Sequence, residues 1–186
     1  MRQSPGSAEI LGTRIDNVTL EDAVNLIVEL IESKDFSFTV TANVDHIMKL
    51  RKDALFRAAY SQADLTVADG VPLLWASRLF GSSLSGRVNG TDLVERLAGE
   101  SARRGFSVYL MGGPEDSAAT ASKALRAKHP NLKVVGYSCP PIGFHNDAAH
   151  NEAVVAAIRQ ASPTILFVAL GAPKQEKWIA EHAKRT

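Results

Sequence analysis

With 186 residues and 45% hydrophobic content, the chain can bury one sizeable core, and its length fits one domain better than two. Its 21 Lys and Arg nearly balance 20 Asp and Glu, so no bulk field draws it to nucleic acid and any anionic ligand must be held by local groups. The only cysteine, Cys139, excludes an internal disulfide and a cysteine metal cluster, and suits a reducing cytoplasm.

Met1-Arg2-Gln3-Ser4-Pro5-Gly6-Ser7 lacks the apolar stretch of a signal peptide, and no later run of apolar residues is long enough to span a bilayer. Thr19-Leu20-Glu21-Asp22 is an acidic capping box, and Ala23, Leu26, Ile27, Leu30 and Ile31 follow at helical spacing to about Ser33. Phe36–Thr41 is β-rich; Val44, Ile47, Met48 and Leu50 favour a helix, with another from about Asp53 to Ala63. Leu65–Ala68 is the next strand, and Pro72 opens a helix over Val71–Phe80, followed by a loop at Gly81–Gly86. Thr91 is expected to cap a helix from Asp92 to Arg104 that stops at Gly105. Phe106–Met111 reads as a buried strand, Asp116–Lys128 as a helix, Lys133–Tyr137 as a strand and Cys139–Gly143 as a rigid loop. A helix over Asp147–Ala161, an apolar strand over Thr164–Leu170 and a helix over Gln175–Arg185 complete the chain. This last helix still carries Trp178, Ile179 and Ala183 with no Gly or Pro stop before Thr186, so the chain reads as shortened. The alternation predicts a single α/β domain: a doubly wound, Rossmann-like, mostly parallel sheet with helices on both faces.

In such a sheet ligands bind outside the carboxyl ends of the strands, which singles out the polar residues there. Asp69 sits between a β-rich run and Gly70, where it can act as a general base or cap the helix that Pro72 opens. Thr41 and Asn43 can hydrogen-bond sugar hydroxyls, although Asn43 or Asp45 can equally cap the next helix, with His46 on its solvated face. Arg87-Val88-Asn89-Gly90-Thr91-Asp92 puts a guanidinium before a helix N-terminus, suited to a phosphate or to a surface ion pair with Asp92. Gly112-Gly113-Pro114-Glu115 can lay backbone against a phosphate or ribose, or simply make a tight turn; it is not G-x-G-x-x-G. After Gly171-Ala172-Pro173, Lys174 and Gln175 offer donors at a helix start, while Trp178 reads as core or interface. There is no Asp-x-Asp and the five histidines have no zinc spacing, so no essential metal is expected; G-x-S-x-G and the Walker loop are also absent.

Together, Thr41-Ala42-Asn43-Val44-Asp45-His46, Ala68-Asp69-Gly70, Arg87-Val88-Asn89-Gly90-Thr91-Asp92, Gly112-Gly113 and Gly171-Ala172-Pro173-Lys174-Gln175-Glu176 resemble the WecG/TagA/CpsF family, glycosyltransferase family 26. Order and position agree from about Ile10 to the last residue. The resemblance implies an inverting, metal-independent transfer, without cofactor, from a UDP-sugar to a polyprenyl-diphosphate-linked saccharide at the cytoplasmic membrane face. Members serve teichoic acid, enterobacterial common antigen and capsule or exopolysaccharide assembly, with N-acetylmannosamine, its uronic acid and glucose among the donors. Carried over by matching motif, Asp69 is the base, Thr41 and Asn43 line the pocket, and Arg87 and Gln175 contact donor or diphosphate. Asn89, Asp92, Gly112, Gly113 and Lys174 complete the substrate-binding set.

Relatives usually continue with a basic, partly amphipathic C-terminal appendage for membrane attachment, whereas this chain stops at Lys184-Arg185-Thr186. Without that segment the expectation is a soluble protein with an open pocket and weak or absent activity, and self-association into a homo-oligomer is also expected. A competing reading is a catalytically silent nucleotide-binding regulatory or scaffold domain. A nicotinamide-dependent oxidoreductase is disfavoured because no glycine fingerprint follows the first strand.

Overall fold

The described part of the chain, residues 6–185 of this computed structural model, opens with a hairpin that the sequence reading does not assign. β1 (Ser7–Ile10) and β2 (Thr13–Asp16) pair antiparallel, turning at Leu11 and Gly12, both at positive φ. The reading of Met1–Pro5 and the end at Thr186 lie outside the described residues. Contacts divide the chain into two units, the first closing at Leu93 and the second opening at Val94.

In the first unit, the capping box forms as expected: Thr19 accepts from Asp22 N–H and Asp22 accepts from Thr19 N–H, starting α1 (Leu20–Glu32), which buries Ala23, Val24, Ile27 and Val28. β3 (Thr39–Ala42) and β4 (Leu65–Ala68) pair in parallel, with Ala42 opposite Ala68. The strand begins three residues later than the β-rich run suggests, because Phe38 N–H is taken by the Asp64 carboxylate at 2.9 Å and the ladder starts only at Thr39. Between them lie α2 (Val44–Leu50) and α3 (Ala54–Tyr60). α4 (Val71–Leu79) follows with Pro72 in its first turn, then the loop that leads to α5 (Gly90–Arg104). The hairpin is tied to β4 through buried Asp16, which accepts from Thr66 N–H at 2.9 Å and from the Arg14 guanidinium at 2.7 Å.

In the second unit, β5 (Ser107–Gly112) is the centre of a parallel sheet, flanked by β6 (Lys133–Ser138) and β7 (Ile165–Ala169). Its side chains alternate between two cores, as strand geometry requires. Val108 and Leu110 pack with Ala98 of α5 and Ala118 of α6 (Ser117–Lys128); Tyr109 and Met111 pack with Val155 and Ile158 of α7 (Ala148–Ala161) and Trp178 of α8 (Lys174–His182). Helices therefore cover both faces of this sheet. β7 is only half-buried despite its apolar sequence, since it holds an edge of the sheet. The last helix stops at His182 and tightens into a 3-10 turn over Ala183–Arg185. Trp178 is buried, its indole N–H donating to Asn151 Oδ1 at 2.8 Å. With helices flanking strands that pair mostly in parallel, the chain is α/β and Rossmann-like. Among the described residues, no helix is long and apolar enough to cross a membrane.

Candidate functional site

The parallel register carries two polar residues out of the sheet together: Asn43 follows Ala42, Asp69 follows Ala68, and Asp69 N–H donates to Ala42 O at 2.6 Å. Val88 N–H then donates to Ala68 O at 2.8 Å, laying the segment before α5 against the end of β4. That contact delivers Asn89, whose Nδ2–H donates to Asp69 Oδ1 at 3.2 Å. The same side chain caps α5, with Oδ1 accepting from Thr91 N–H at 2.9 Å and Asp92 N–H at 3.4 Å. Asn89, and not Thr91 as expected, is thus the cap, two residues earlier, where the Val88 bond to Ala68 fixes the chain. Thr41, the penultimate residue of β3, has its Oγ1 near Gly90, which Asp69 Oδ2 also borders. Thr41, Asp69, Asn89 and Gly90 are each half-buried. A carboxylate with one oxygen held by an amide is fixed in orientation, as a group that takes up a proton must be.

The alternative role for Asp69, capping the helix opened by Pro72, is not the one adopted: Gly70 is the N-cap of α4 and no side chain bonds there. Gly70 has φ +126, a conformation only glycine takes without strain, which turns the chain away and leaves the Asp69 carboxylate beside Asn89. Asn43 does cap its helix, Oδ1 accepting from His46 N–H at 3.0 Å.

His46 corrects the expectation of a solvated face. It is 7% exposed, its ring edge-on to Phe56 and Tyr60, with Nδ1 3.4 Å from Tyr60 Oη. Burial holds its pKa below the usual imidazole range, against the opposing pull of the Asp45 charge and, more weakly, of Asp69, while Lys49 adds to the lowering.

Arg87 Nη2 lies 3.7 Å from Asp92 Oδ2, both side chains about half exposed at 47% and 56%. So long a pair at the surface contributes at most about 1 kcal/mol and leaves the guanidinium accessible to an anion.

The remaining expected residues lie in the second unit. Gly113 N–H donates to Ala169 O at 2.9 Å, and a β-carbon on Gly112 would stand 2.4 Å from that same oxygen. Packing of Gly112 against Ala169 and of Gly113 against Ser117, with positive φ at both, requires glycine at these two positions. Gly112→Ala, at φ +109, is expected to lower stability by roughly 1–3 kcal/mol or more, read as a fall in the denaturant midpoint. Lys174 is exposed at the first residue of α8. Gln175 folds back on its own loop, Oε1 accepting from Gly171 N–H at 3.2 Å and Nε2 donating to Glu176 Oε1 at 2.9 Å. Among the described residues no three His, Cys, Asp or Glu side chains gather as metal ligands.

Gly90 was missed by reasoning from sequence. Its only signal is a glycine opening a helix directly after the cap, inside a motif otherwise read for its charged and amide groups.

A parallel α/β chain with a carboxylate oriented at a strand end has the build of an enzyme acting on a bound sugar or nucleotide. Residues 8–186 match the family model described as "Glycosyl transferase WecG/TagA/CpsF family". The chain belongs to that family and is a glycosyltransferase. It is 28% identical over 183 residues to the N-acetylglucosaminyldiphosphoundecaprenol N-acetyl-beta-D-mannosaminyltransferase of Staphylococcus aureus strain NCTC 8325 / PS 47, covering 97% of this chain and 70% of that protein. The proteins of the same name from strains COL and MRSA252 match with the same identity and coverage.

Proposed function

We propose that residues 1–186 act as one glycosyltransferase domain that moves an N-acetylmannosamine-type sugar or a hexose from a UDP-sugar to a polyprenyl-diphosphate-linked saccharide, with inversion at the anomeric carbon. The observation that carries this is the Asp69 carboxylate, oriented by Asn89 Nδ2–H and flanking Gly90 together with Thr41, at the ends of two parallel strands. In the reaction, Asp69 takes the proton of the acceptor hydroxyl as its oxygen forms a bond to the anomeric carbon. The bond from that carbon to the diphosphate breaks on the opposite side, and its electron pair leaves with UDP. Thr41 and Asn43 line the sugar pocket, and Asn89 and Asp92 hold the segment that carries Arg87. Arg87 meets the charge that grows on the diphosphate, as a guanidinium does when placed beforehand. In the second unit, considered by itself, Lys174 and Gln175 offer donors at the start of α8, and Gly112 and Gly113 offer backbone at the end of β5. The S. aureus relatives, by their names, act on a diphosphoundecaprenol-linked N-acetylglucosamine, which supports an acceptor held at the inner face of the cytoplasmic membrane and peripheral attachment there. Self-association belongs to the same reading.

The test is a transfer assay with UDP-N-acetylmannosamine, UDP-glucose and a prenyl-diphosphate-linked N-acetylglucosamine, alongside thermal melts with UDP and NAD. A ligand bound only by the folded state raises the melting temperature. Stabilisation by NAD and not by UDP sinks the reading. Arg87→Ala is expected to leave the melt unchanged, given the weak ion pair, and to weaken UDP binding about ten- to a hundredfold by calorimetry, the worth of one charged hydrogen bond. An unchanged dissociation constant assigns Arg87 to the ion pair alone.

A further inference from the structure

We infer that Gly90 is the specificity-determining position for the acceptor: its missing side chain is the space through which the attacking sugar hydroxyl reaches Asp69 Oδ2. The inference rests on the proposed base role of Asp69.

Gly90 is the first residue of α5 and its φ is not positive, so its backbone suits any L-residue. Nor does packing within the protein demand glycine. A β-carbon on Gly90 would stand 3.6 Å from Thr41 Oγ1, 3.8 Å from Thr41 Cγ2 and 3.8 Å from Asp69 Oδ2, all ordinary van der Waals distances. Gly112 and Gly113 contrast with it, since a β-carbon there would stand 2.4 Å from Ala169 O and 2.1 Å from Ser117 Oγ, besides their positive φ. Gly70 is likewise fixed by its φ of +126. Within a helix glycine is a poorer choice than alanine, because it loses more backbone freedom on folding. At Gly90 neither conformation nor packing offsets that cost.

What an added methyl would change is the ground beside the carboxylate. Asp69 Oδ1 is occupied by Asn89 Nδ2–H at 3.2 Å, so Oδ2 is the oxygen left to accept a substrate proton. An accepted hydroxyl oxygen sits about 2.7 Å from its carboxylate oxygen. A β-carbon 3.8 Å from Oδ2 and 3.6 Å from Thr41 Oγ1 is in contact with both polar groups, and so takes volume next to the oxygen that the acceptor hydroxyl and its sugar ring carbon must approach. Thr41 Oγ1, 3.6 Å from the same β-carbon position, offers a hydroxyl to a neighbouring hydroxyl of that sugar. The ligand class is thus a pyranose presenting a hydroxyl edge, held on the acceptor side of the reaction.

The experiment compares Gly90→Ala, Gly90→Val and Asp69→Asn with the unmodified full-length enzyme, using UDP-N-acetylmannosamine and a short-chain prenyl-diphosphate N-acetylglucosamine. Gly90→Ala is expected to melt at or above the unmodified temperature and to bind UDP within twofold, while its kcat/KM for the acceptor falls at least tenfold. Gly90→Val should fall further, following side-chain volume. Wild-type acceptor kinetics in Gly90→Ala, or a melting temperature lowered by several degrees in that variant, overturns the inference and makes the glycine neutral or structural. If Asp69→Asn is inactive while Gly90→Ala turns over normally, the base role stands and only this inference falls. If Asp69→Asn turns over normally, the base reading fails and takes this inference with it.

Discussion

Asp69→Asn is expected to lower kcat by about 10²- to 10⁴-fold while the protein folds, melts and binds UDP as before. The substitution is nearly isosteric and keeps an oxygen where Oδ1 now accepts from Asn89 Nδ2–H at 3.2 Å, so the bond that ties the α5 cap to the end of β4 can persist. The backbone anchor from residue 69 to Ala42 O at 2.6 Å is untouched. What disappears is the capacity to accept a proton at Oδ2. Single-turnover rates with saturating acceptor, measured beside UDP titrations, separate loss of the base from loss of the site; near-normal turnover removes Asp69 from the chemistry.

Asn89→Asp should act on the same carboxylate from the opposite direction. The new side chain can still cap α5, since an oxygen continues to accept from Thr91 and Asp92 N–H, and a negative charge at a helix N-terminus is favourable. Yet the amide donor facing Asp69 becomes a second carboxylate at about the same separation. Two carboxylates that close cannot both ionise freely, so one proton is held to higher pH. The acid limb of the kcat/KM profile is expected to move up by about one pH unit or more, with activity on that limb down roughly tenfold and the neutral-pH plateau little changed. Stability follows the same proton. The pair's folded pKa is raised above the unfolded value, so the variant's deficit is smallest below about pH 4 and grows as pH rises through the raised value. A pH profile superimposable on that of the unmodified enzyme would show that Asn89 serves α5 alone. Asn89→Ala loses both functions at once and is the less informative change.

Local signals in the chain were strong wherever one residue dictates its neighbours. The Thr19–Asp22 box fixes the start of α1, the four residues Leu65–Ala68 form β4 as read, and Pro72 marks the first turn of α4. The β1–β2 hairpin was illegible because its turn places Leu11 at φ +49, where leucine gives no turn signal comparable to Asn-Gly. The strand over Phe36–Thr41 shifted because β-propensity cannot see that the Asp64 side chain, 26 residues away, takes the Phe38 N–H. His46 was misjudged for a like reason: the rings that bury it belong to α3, and nothing within α2 announces them.

The sequence alone determined the alternation of strands and helices, the family, and which polar residues stand at strand ends, because capping, proline placement and apolar period act over a few neighbouring residues. Only the tertiary structure decided that Asn89 reaches back 20 residues to orient Asp69, that Gly90 leaves a gap beside Thr41, and that Gly112 and Gly113 are claimed by Ala169 and Ser117. Those outcomes depend on the register Ala42↔Ala68 and on the bond from Val88 to Ala68, pairings between distant segments whose geometry no local preference encodes.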